Sequence, residues 1–169
     1  TMNDQFIMSA SKIKAPSQYA LPKTITVQMT GFPLAVTGNA TFKNFRGLAL
    51  ADINGDSITD IIFATHNAIY AYSYQGLIWQ KSLIGTAIYP PSVSDMNNDG
   101  YPEIVQVTGG SPDNGHIYVF DHNGNTLAGW PVNFSNHWII CSPALADVNN
   151  DNLKEHNLLF SFEGTYLLL

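Results

Sequence analysis

The sequence predicts an all-β protein of four-stranded antiparallel propeller blades, with about three blades in this chain. Three observations carry that expectation. An acidic loop of pattern Asp-x-Asn-x-Asp-x-x-x-Asp/Glu begins at Asp52, Asp95 and Asp147, and an apolar run bearing a tyrosine follows each loop. No ten-residue segment has convincing helical periodicity.

The repeat is legible in four landmarks that recur in one order. Leu50-Ala51-Asp52-Ile53-Asn54, Val93-Ser94-Asp95-Met96-Asn97 and Leu145-Ala146-Asp147-Val148-Asn149 open the loops. Tyr70, Tyr118 and Tyr166 then fall 48 residues apart, and the turn glycines Gly76 and Gly124 keep the same spacing. Gly129-Trp130-Pro131 is echoed near the start by Gly31-Phe32-Pro33.

Taken in order, residues 1–20 read as a leader or linker and residues 21–169 as the repeat domain. Residues 24–33 resemble Asn125–Pro131 and are expected to supply a blade-closing fourth strand. Blades are expected at about 40–84, 85–134 and 135–169. The first has strand signals over Gly47–Ile53, Asp60–Thr65, Ala68–Tyr74 and Leu77–Ser82, rich in β-branched and aromatic residues. In the second, Ile104–Val107 and His116–Phe120 alternate in the same way, and Asn123-Gly124 marks a hairpin after Phe120. The third runs to a Tyr166 strand. Propellers usually have four to eight blades, so the expectation is a partial propeller or a ring completed by other copies as a homo-oligomer.

Composition narrows the function classes. The chain is 45% hydrophobic and only 12% charged, a globular balance. A formal net charge of −6 argues against nucleic acid, and no apolar stretch is long enough for membrane insertion. Cys141, the single cysteine, reads as a buried structural thiol. The acidity is concentrated: nine of the 13 Asp and Glu residues lie in the three loops. Like charges held together repel unless a cation lies between them.

The loops place oxygen donors at positions 1, 3, 5 and 9. These are Asp52, Asn54, Asp56 and Asp60; Asp95, Asn97, Asp99 and Glu103; and Asp147, Asn149, Asp151 and Glu155. Position 7 would add a main-chain carbonyl from Ile58, Tyr101 and Leu153. Six to eight oxygen ligands are what calcium (Ca2+) takes. An EF-hand would need glycine at position 6 and glutamate at 12, where Phe63, Gln106 and Leu158 stand. Transition metals would want His or Cys donors, absent from the loops.

With these loops, the tyrosine strands and the Gly-Trp-Pro turn, residues 24–169 resemble the FG-GAP/VCBS repeats of calcium-containing β-propellers, which include the integrin α head. The Phe-Gly…Gly-Ala-Pro box is absent, with Tyr89-Pro90-Pro91 near its place. That favours the microbial-type branch over integrin-like adhesion. After Glu155, His156-Asn157 replaces the apolar pairs Ile61-Ile62 and Ile104-Val105, which implies an irregular third unit. The resemblance implies an extracellular or cell-surface module whose calcium is structural, binding a protein or carbohydrate. The alternative is the propeller portion of a secreted polysaccharide lyase or peptidase. No catalytic residues are expected: the five histidines are scattered, with no His-Glu-x-x-His or Gly-x-Ser-x-Gly spacing. Trp79, Trp130 and Trp138 read as blade packing rather than sugar platforms.

Overall fold

A computed structural model describes residues 46–109, 115–135, 139 and 141–147, and the backbone of 159–162 and 165–168. All of these lie in the second of two units, Gly38–Leu169; the first, Thr1–Thr37, is outside the described residues. The expected linker and the strand at 24–33 therefore lie outside them too.

Among the described residues the structure is all-β, in antiparallel sheets. Strands β1 (Ala49–Ala51), β2 (Asp60–Ser73) and β3 (Gly76–Ala87) form one sheet in that order. Strands β4 (Ser92–Ser94), β5 (Glu103–Thr108), β6 (Gly115–Phe120) and β7 (Val132–Phe134) form the second. Strands β8 (Leu159–Phe162) and β9 (Thr165–Leu168) form a third pair.

The first sheet holds three elements but four arms. Phe63 stacks on Tyr70 at 5.2 Å and on Tyr72 at 5.9 Å. Residues seven apart on a straight strand would be about 23 Å apart, at ~3.3 Å per residue. The chain of β2 must therefore reverse between Phe63 and Tyr70, and His66, at φ 48°, marks the turn. This restores the two strands that the sequence separates at Thr65 and Ala68, and makes the first sheet a counterpart of the second.

The two blades pack face to face because their strands alternate. Ile62, Ala64, Ile69, Ala71 and Trp79 of the first blade form one core with Ile104, Tyr118 and Phe120 of the second. The alternate residues of the second blade, Val105, Val107, Ile117 and Val119, turn the other way to pack with Met96 and Ile139. Hence every residue of β5 and β6 is buried, as expected of strands covered on both faces.

The seam is tied at its rim. The Ile84 amide donates to the Tyr118 hydroxyl at 2.8 Å, and the Thr108 hydroxyl donates to the Ile84 carbonyl at 2.8 Å. Thr86 and Gly109 exchange main-chain hydrogen bonds. Gly85, at φ 84°, passes so close to the Gly109 carbonyl that a Cβ would collide with its oxygen. Only glycine fits there.

Three strand expectations shift. The first strand is shorter than Gly47–Ile53, because Asp52 and Ile53 already belong to the loop. The outer strand β3 runs on to Ala87, beyond the expected Ser82, with a register shift between His66 and Ala68. In the second blade the outer strand is not continuous over Asn125–Pro131. The chain bridges at Thr126, turns through Leu127–Trp130 and resumes pairing at Val132.

The third unit departs in register. In the second blade Ile104, directly after the ninth loop residue, pairs with Phe120, two past the repeat tyrosine. In the third, Leu168, two past Tyr166, pairs with Leu159, which is four residues after Glu155 rather than one. The third ladder is thus displaced by three residues from its loop.

Candidate metal centre

The first two loops fold to one hydrogen-bonded plan. Asp52 accepts the Gly55 and Ser57 amides at 2.8 and 2.7 Å, and Asp95 accepts the Gly100 amide at 3.0 Å. Asn54 Oδ1 accepts the Asp56 amide at 2.9 Å, and Asn97 Oδ1 the Asp99 amide at 2.8 Å. Asp56 Oδ1 and Asp99 Oδ1 accept the amides of Ile58 and Tyr101, at 2.7 and 2.8 Å. Short Asp and Asn side chains suit this because they bond main chain two residues on.

The ninth residue closes each loop from below. Asp60 Oδ2 accepts the Ile53 amide at 3.0 Å, and Glu103 Oε2 accepts the Met96 amide at 2.7 Å. Position 2 anchors the loop: Ile53 is buried in the first core and Met96 in the second. Position 7 does not, since Ile58 and Tyr101 are exposed. The remaining oxygens differ. The longer Glu103 reaches Asn97 Nδ2 with Oε1 at 3.1 Å, whereas Asp60 Oδ1 is buried with no hydrogen-bond partner. Asp95 Oδ1 is likewise buried and partnerless.

Electrostatics follows the geometry. Burial raises the Asp60 carboxyl above its ordinary range, and the charges of Asp56 and Asp52 add to the rise against the Ile53 amide bond. Burial likewise raises Glu103, with Asp99 and Asp95 adding to it. A cation would reverse the sign of these like-charge terms.

As they stand, no three His, Cys, Asp or Glu side chains among the described residues converge closely enough to hold a metal ion. The loop carboxylates are turned to their own amides, and the Asn54 and Asn97 amide groups donate to Asp56 and Asp99 at 3.3 and 3.0 Å. The donor set nonetheless fits a hard cation in kind: it is all oxygen, with a buried carboxylate oxygen left over in each loop. Of the third loop only Asp147 is described; Asn149, Asp151, Leu153 and Glu155 lie outside the described residues.

The other residues singled out from sequence fall elsewhere. Trp79 is buried in the first core and donates Nε1 to the His122 carbonyl at 2.8 Å. Trp130 packs on the second core, and Trp138 is outside the described residues. Cys141 is only half-buried, short of the buried thiol expected. His116 lies within β6, and His122 stacks on Tyr101 at 4.3 Å. This last contact carries no signal in the spacing of the sequence. No helix among the described residues is long and apolar enough to cross a membrane.

Comparison with curated proteins yields no match. The FG-GAP-like repeat, by contrast, matches residues 52–106 and again residues 95–155. Each match starts on the first aspartate of a loop, and together they cover more than half of the chain. With its stacked antiparallel blades and repeated acidic loops, the chain belongs to the FG-GAP-like repeat family.

Proposed function

We propose that the chain is a calcium-stiffened β-propeller module working outside the cell, where it binds a protein or carbohydrate ligand. Family membership supports the module and its setting. Loops of extracellular modules typically hold calcium at about 10⁻⁴–10⁻³ M, concentrations found outside the cell and not in the cytosol.

One observation carries the calcium reading: the buried, partnerless Oδ1 of Asp60, in a loop that also holds Asp52 and Asp56. A buried carboxylate oxygen without a partner is costly, and a bound ion would remove that cost. Asp52, Asn54, Asp56 and Asp60 would hold one ion, with the Ile58 carbonyl. Asp95, Asn97, Asp99 and Glu103 would hold another, with that of Tyr101. The ion's role is mechanical, because binding energy gained only in the folded state adds to folding energy.

Thermal unfolding in millimolar calcium and in chelator tests this. Saturation at one hundred times Kd would add roughly 2.7 kcal/mol per loop, at about 2–4 °C per kcal/mol for a chain of this size. Asp56→Ala and Asp99→Ala should each lower the midpoint in calcium and much less in chelator. A midpoint indifferent to calcium would overturn the reading. Glycan-array and pull-down binding then separate a carbohydrate from a protein ligand.

A further inference from the structure

Tyr101 belongs to the second loop, yet its ring touches the first. A Cβ built on Gly55 would lie 3.3 Å from Tyr101 Cε1, so the ring rests against bare backbone of the first loop. On the other side of the contact network, the ring stacks on His122 with centroids 4.3 Å apart and planes 22° apart. The His122 carbonyl is itself held by Trp79 Nε1 of β3, in the first blade.

Tyr101 is also fixed at its backbone by the second loop. Its amide donates to Asp99 Oδ1 at 2.8 Å, and on the cation reading its carbonyl is the position-7 ligand. Gly55 is fixed by the first loop, its amide donating to Asp52 Oδ1 at 2.8 Å. Ordering either loop therefore orders one side of the Tyr101–Gly55 contact.

From this geometry we infer that Tyr101 couples the two loops, so that a cation bound in one raises the affinity of the other. The inference rests on the calcium reading given under Proposed function. Binding that rigidifies a shared contact leaves less ordering for the second ligand, which gives positive cooperativity. Repulsion between the ions opposes this only weakly. Each loop carries three carboxylates, so a loaded loop keeps a net negative charge.

The test is a calcium chloride titration of the whole chain, following the amide resonances of Gly55 and Gly100 separately. Asp99→Ala, which disables the second loop, should move the Gly55 midpoint to about fivefold higher calcium or more. Placed on a Tyr101→Ala background, Asp99→Ala should no longer move it, while on a Tyr101→Phe background the shift should return. A Gly55 midpoint unmoved by Asp99→Ala in the otherwise native chain overturns the coupling and leaves the calcium reading intact. A shift that persists on the Tyr101→Ala background overturns the role of Tyr101. No response at Gly55 and Gly100 at millimolar calcium overturns the calcium reading and the coupling with it.

Discussion

Gly55 and Ser57 in the first loop, and Asn98 and Gly100 in the second, all have positive φ, at 77°, 66°, 58° and 90°. Both loops thus need left-handed backbone at positions 4 and 6, but each places its glycine at only one of them. A side chain in that region costs about 1–2 kcal/mol. Ser57→Gly should therefore stabilise the first blade by about 1 kcal/mol, read as a higher thermal midpoint with or without calcium. Asp121 makes a second residue-scale case. Burial alone would raise its carboxyl. The Asn125 side-chain and main-chain N–H bonds, with the Asn123 amide and His122 nearby, outweigh burial and hold it below the usual range. Its folded pKa is thus depressed, so its contribution is present above the unfolded value of about 3.9 and is lost as pH falls through the folded pKa. The midpoint gap between native protein and Asp121→Ala should be constant near neutrality and close below about pH 4.

Among the elements, the loops and the inner strands were legible from sequence, and the outer strands less so. The positions of β5 and β6 follow from alternation and from Asn123-Gly124, where Gly124 takes φ 76° in the turn. The far end of β3 was not legible, because what holds it is tertiary: the Tyr118 hydroxyl and Gly109 of the neighbouring blade. No pattern within Leu83–Ala87 signals those partners. Tyr118→Phe removes one of the ties while keeping the ring stacked on Phe120 at 5.6 Å. It should lower stability by about 1 kcal/mol and speed hydrogen exchange at Ile84 more than at Ile69. The tight turns of the first two loops were also legible, since Asp and Asn at alternate positions bond main chain two residues on. The direction of each carboxylate was not: amide bonding within the loop decides it, and spacing is silent on that competition.

At the scale of the whole molecule, the repeat predicted the stacking of blades, and the packing gives its physical content. Strands β5 and β6 are buried on both faces, as befits a repeat that packs against neighbours. The third unit shows where period alone fails. Tyr166 keeps the 48-residue spacing, yet the β8–β9 register is displaced by three residues relative to Glu155. Two-faced burial has a further consequence for how β5 and β6 are specified. In a sheet with one wet face, slipping by a residue exposes the apolar set, so hydrophobicity polices alignment. Glu103-Ile104-Val105-Gln106-Val107-Thr108, buried along its whole length, has no wet face to betray a slip. Alignment must then come from polar keys: Glu103 on the Met96 amide and Asp121 across its turn at the strand ends, and Tyr118 on the Ile84 amide within β6. The acidic loop is in this sense a start mark that tells the strand where its ladder begins.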